Sequence, residues 1–105
     1  MSGLVHTMKR GDTSPAIRFT LEPLVNLTGA SVVFSMQTDA RVRVINQAPA
    51  AIKNAPGGVV RYDWQPGNTA VAGLFRAEFK VLGPGGAVET YPNNAKIIVF
   101  IGPGI

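Results

Sequence analysis

Apolar and polar residues alternate with period two along most of this chain. In "VRYDW" Val60, Tyr62 and Trp64 share one side, with Arg61 and Asp63 on the other. After a turn, Phe75, Ala77, Phe79 and Val81 alternate with Arg76, Glu78 and Lys80. "AIRFTLE" sets Ile17, Phe19 and Leu21 against Arg18, Thr20 and Glu22. "SVVFSMQ" sets Val32, Phe34 and Met36 against Ser31, Ser35 and Gln37, with Val33 breaking the pattern. "RVRVI" sets Val42 and Val44 against Arg41 and Arg43, and "AVETY" and "AKIIVFI" supply two more candidates near the end. Successive side chains of a strand point to opposite faces, so each segment predicts a strand with one buried face.

Breakers separate these segments: Gly11-Asp12, Thr28-Gly29, Pro56-Gly57-Gly58, Pro66-Gly67-Asn68 and Gly83-Pro84-Gly85-Gly86. Glycine reaches positive φ without steric cost and proline presets the corner. Roughly seven short strands with turns at this spacing predict an all-β antiparallel β-sandwich or small barrel. No stretch has a convincing helical period; "QAPAAIKNAPG" is the best place for a short helical turn. The "WQPGNTAVAG" connection is too long for a tight hairpin and predicts a corner between sheets. Trp64 at its edge reads as a core plug whose indole N–H needs a partner. Gly11, Asp12 and Thr13 read as a turn in which the Asp12 carboxylate accepts backbone N–H bonds.

Composition narrows the chemistry. A chain of 105 residues is one domain, and 46% hydrophobic content suffices for a core. There is no Cys, so disulfides and thiolate metal sites are excluded. No apolar run approaches the ~20 residues of a membrane-spanning helix. In "MSGLVHTMKR" the charges follow the short apolar piece, the reverse of a secretory signal, which points to the cytoplasm where the chain is made. His6 is the one histidine, and the six acids (Asp12, Glu22, Asp39, Asp63, Glu78, Glu89) are scattered. No catalytic, metal or cofactor site is expected from them. "GPGG" lacks the Lys-Ser/Thr and the helix of a phosphate-binding loop.

The formal charge is +4. A basic surface could follow a phosphate backbone. Single-strand binders, however, expose aromatic stacking platforms, whereas Phe19, Phe34, Phe75 and Phe79 fall on inward faces. A solvated face, or one meeting an acidic protein through Arg41 and Arg43, is the stronger expectation.

Four stretches then carry a family resemblance: "MKRGDTSPAIRFTL", "LTGASVVFSMQ", "GVVRYDWQPGNTAVAGLFRAEFKV" and "GGAVETYPNNAKIIVFI". Together they resemble the immunoglobulin-like domain at the N-terminus of siphophage baseplate upper proteins, from about Met8 to Ile101. The resemblance implies a virion structural protein, a sandwich that joins other phage structural proteins, without catalytic residues or cofactor. It implies residues 1–7 as an N-terminal extension and 8–105 as a single Ig-like domain. A tail or baseplate position is the first expectation, with assembly in the host cytoplasm and no membrane partner. Capsid decoration or a head-fibre anchor is the alternative. A carbohydrate-binding adhesion module is a further alternative, and it would need Trp64 and Tyr91 exposed.

"AKIIVFI" sharpens the expectation. Ile97, Val99 and Ile101 have inward parity, so Lys96, Ile98 and Phe100 point out. Ile98 and Phe100, with Leu74 or Val33 from neighbouring strands, are expected to form a patch buried against another subunit of a homo-oligomer. The expected interface residues are thus Ile98, Phe100, Leu74, Arg41 and Arg43.

Overall fold

The computed structural model describes residues 4–21, 26–91 and 97–104. Eight strands follow in order: β1 Leu4–Lys9, β2 Ile17–Thr20, β3 Ser31–Thr38, β4 Arg43–Asn54, β5 Val59–Tyr62, β6 Gly73–Leu82, β7 Val88–Tyr91 and β8 Ile97–Gly102. The helical content among the described residues is one 3₁₀ turn, Pro84–Gly86. Side by side the strands run β1-β8-β6-β3-β4-β5-β2, with β7 pairing β6 off this path. Along one edge, β6 pairs β8 through Gly73–Ala77 and β7 through Phe79–Leu82; its other edge pairs β3.

β4 joins two ladders. Its first part pairs β3 as far as Ala50, and Ala51 onward pairs β5. Gln47, at φ 52°, marks the irregular stretch where the register with β3 shifts. There the Gln47 N–H donates to Ser35 Oγ at 2.9 Å, replacing a ladder bond. Such a bulge strengthens the local twist and bends the strand, which lets one element serve both ladders.

The inward parities meet in one core. Phe34, 0% exposed, has Tyr62 stacked on it at 4.4 Å, Phe79 tilted at 5.0 Å and Trp64 edge-on at 5.7 Å. Trp64 is buried and its indole N–H donates to the Pro15 carbonyl at 3.1 Å, the partner that a buried indole needs. Tyr62 donates its hydroxyl to Asn68 Oδ1 at 2.6 Å, and that oxygen also accepts the Gln65 N–H. The Gln65–Ala72 connection leads from β5 in the second ladder to β6 in the first, the corner expected from its length.

Several expectations are corrected. The β1–β8 pair is parallel, so the sheet is mixed rather than wholly antiparallel. "QAPAAIKN" is strand, not a helical turn: it forms most of β4, and its half-buried Ala48 and Ala50 pack on the core. Pro49 is tolerated because β4 there has β3 on one edge and no described strand on the other. The boundary at residue 7 falls inside β1, whose Met8 is a core residue. "RVRVI" is not one regular face: Arg41 takes φ 65° in the turn before β4. Val42 and Val44 are exposed, and Ile45 is buried instead. Ser35, expected outward, is buried at the bulge. Asp12 is held through its main chain, its N–H donating to Lys9 and its carbonyl accepting from Thr69 Oγ1 at 2.7 Å. Side-chain-capped turns occur instead at Asn26 and Asn54. Glu22 and Lys96 lie outside the described residues.

Candidate functional site

Pairing across the first ladder arranges the outward residues in rows. Val5 lies beside Ile98, Ile98 beside Arg76, Arg76 beside Gln37 and Gln37 beside Arg43. In the next row Thr7 lies beside Phe100 and Phe100 beside Leu74. The first row turns from apolar to basic as it crosses from β1 to β4. Val5, Leu74 and Phe100 are 70%, 49% and 44% exposed, and Ile98 is half-buried. Cross-strand neighbours on one face touch, so these four form a contiguous apolar strip rather than scattered surface residues.

Of the five expected interface residues, Ile98, Phe100 and Leu74 come together in this strip, and Arg43 ends one of its rows. Arg41 is exposed on the β3–β4 turn and lines a polar hollow with Gln37, Thr38, Asp39 and Arg76. Arg76 Nε contacts Asp39 Oδ1 at 3.1 Å, with both side chains at least half exposed. A pair this wet contributes roughly 0–1 kcal/mol, so it orients more than it stabilises. Val33 does not join the strip; it lies beside Lys80, several residues along β6 from Leu74. Two members were missed. Val5 was hidden in the supposed extension, because "LVHTMK" does not alternate in polarity although its burial alternates in the structure. Arg76 was read only as an outward charge, and its neighbour Ile98 emerges from the β6–β8 register.

Beside the strip, Phe100, Gly102, Thr7 and Lys9 face the loop residues Asp12, Ser14 and Pro15 across a groove of about 280 Å³. Gly102 carries no side chain, and a Cβ there would meet the Lys9 stem and the Phe100 ring at 3.6–3.7 Å. The absent side chain therefore helps keep the groove open. No three His, Asp or Glu residues gather as a metal-binding group among the described residues.

His6 lies behind the strip, on the inner face of β1. Its ring sits 5.8 Å from Trp64, and its Nε2 is buried without a hydrogen-bond partner among the described residues. Burial holds its pKa below the ordinary 6.5, with the Pro15 carbonyl acting weakly in the opposite direction. The folded state therefore resists a proton that the unfolded chain accepts. The stability tied to neutral His6 is complete above pH 6.5 and is lost as pH falls towards the lowered folded value. In chemical denaturation between pH 7.5 and 5.5, wild type should lose more stability than His6→Gln. Equal losses would contradict this placement of the ring.

Neither aromatic required by the carbohydrate-binding alternative is available. Trp64 and Tyr91 are both buried, and the Tyr91 hydroxyl donates to Glu89 at 3.2 Å. Phe100 is the one aromatic side chain with substantial exposure.

No protein-family profile and no curated protein sequence matches the chain. Among solved structures, it is similar to CopC from Methylosinus trichosporium OB3b, with a TM-score of 0.55 and 13% identity. The alignment covers 95% of this chain and 85% of that one. At this identity the likeness is one of β fold.

Proposed function

We propose that this chain is a bacteriophage virion structural protein, an Ig-like module that joins neighbouring subunits through the outer face of its larger ladder. The observation that carries the reading is the strip Val5–Ile98–Phe100–Leu74, continuous across three strands and bordered by Arg76 and Arg43. An apolar centre with a polar, arginine-bearing rim is the usual anatomy of a protein contact. The motif resemblance to baseplate upper proteins supports phage structural proteins as the partners and the tail or baseplate as the location. The immunoglobulin-like reading is supported by strand order. β3, β6 and β8 stand together as strands C, F and G do in that fold, and β2, β5 and the end of β4 stand as B, E and D.

In this reading the module has no catalytic role and no cofactor, and the arginines meet acidic protein surface rather than nucleic acid. Mass spectrometry of density-purified particles provides the test. Peptides of this chain should co-purify in fixed proportion to a major structural protein through a high-salt wash. Recovery only in the soluble fraction of the lysate would overturn the proposal.

A further inference from the structure

We propose that two copies of this chain pair through β1, antiparallel and centred on Thr7, extending the first ladder from one protomer into the next. The inference goes beyond the virion role and does not depend on it.

β1 is the terminal strand of the ladder, and no described strand pairs its outer edge. Its register with β8 is unbroken over all six residues, from Leu4↔Ile97 to Lys9↔Gly102. The Arg10 N–H donates to the Gly102 carbonyl, which fixes which peptide groups face β8. Because these directions alternate along a strand, residues 6, 8 and 10 address β8, whereas Val5, Thr7 and Lys9 present N–H and C=O outward. The Lys9 carbonyl confirms this parity, since it leaves the ladder to accept the Asp12 N–H at 3.1 Å.

Open edges are ordinarily guarded by proline, bulges or a charge in mid-strand. β1 has none of these, and its one charged side chain, Lys9, stands at the end. The Asp12–Pro15 loop takes one outward group of the strand, the Lys9 carbonyl, and the groove described above separates it from Thr7.

Self-complementarity selects a second copy as the occupant. With Thr7 opposite Thr7, Val5 faces the Lys9 stem of the other protomer and Arg10 faces its Leu4, so no cation lies directly across from a cation. A register centred on Lys9 would set two ammonium groups opposite each other, which disfavours it. In the Thr7 register the Phe100–Thr7 rows of both protomers meet across the twofold axis, as an isologous contact requires.

Sedimentation velocity and single-cysteine cross-linking test the pairing. Wild type should show a concentration-dependent dimer. Thr7→Lys, which puts like charges opposite each other on an exposed face, should weaken it at least about tenfold. Thr7→Pro should do the same, because it removes only an N–H that the β1–β8 ladder does not use. Cα atoms across a hydrogen-bonded antiparallel pair lie about 5.5 Å apart, within disulfide range. Thr7→Cys should therefore cross-link two chains under mild oxidation, whereas Val5→Cys, which faces Lys9, should not. Circular dichroism shows whether each variant is folded, and Thr7→Lys decides if Thr7→Pro is not. A monomer at millimolar concentration would overturn the proposal, as would a dimer that survives Thr7→Lys but is lost in Phe100→Ser.

Discussion

Phe34→Ala should cost the domain about 3–5 kcal/mol, the usual range for emptying a phenylalanine site in a close-packed core. Phe34 is fully buried and in ring contact with Tyr62, Phe79 and Trp64. Those three rings come from β5, β6 and the segment after β5, so the cavity cannot close by shifting one strand. Each kcal/mol moves the melting temperature of a domain this size by about 4–8 °C. The variant should therefore melt well over ~10 °C lower, or be unfolded at ambient temperature. Trp64 is the single tryptophan and meets Phe34 edge-on, so its fluorescence reports the transition directly. A loss below about 1 kcal/mol would mean that these rings are not the centre of the core.

Period-two patterning revealed β2, β3, β5 and β6, because each pairs an inward apolar set with a mostly polar outward one, whereas β7 and β8 stood out by their apolar and β-branched residues without a clean polar face. The inward sets of the core were legible for the same reason. β4 was obscured by composition: Ala48, Ala50 and Ala51 carry little hydrophobic contrast, and Pro49 argues against a strand until the one-sided pairing there is known. The Val44/Ile45 parity slipped because a bulge adds a residue without a sequence signature.

β1 was obscured because its pairing is with β8, at the far end of the chain and in parallel, which no local pattern announces. The candidate site was half legible. Ile98 and Phe100 stand out as apolar residues at outward parity, and Leu74 as their neighbour. Val5 and Arg76 join them only through register. The groove at Gly102 depends on how the Asp12–Pro15 loop passes β1, which sequence does not specify.

Phe100→Ser should have the largest effect on assembly with little effect on folding. The ring is 44% exposed, so the isolated domain has already left much of its burial unrealised. Completing it at a contact adds a share of the roughly 1.5–3 kcal/mol that full burial of a phenylalanine contributes. That share is multiplied wherever the subunit repeats around a symmetric ring. Serine at this outward position leaves the inward Val99 and Ile101 untouched, and the purified variant should keep its β spectrum and a melting temperature close to wild type.

The most direct test is to count Phe100→Ser copies per purified particle against wild type, with both proteins supplied at equal expression in the same infection. The account predicts a folded variant whose incorporation falls several-fold. Normal incorporation would show that the face is idle surface. An unfolded variant would show that Phe100 belongs to the core. Either result would contradict the account.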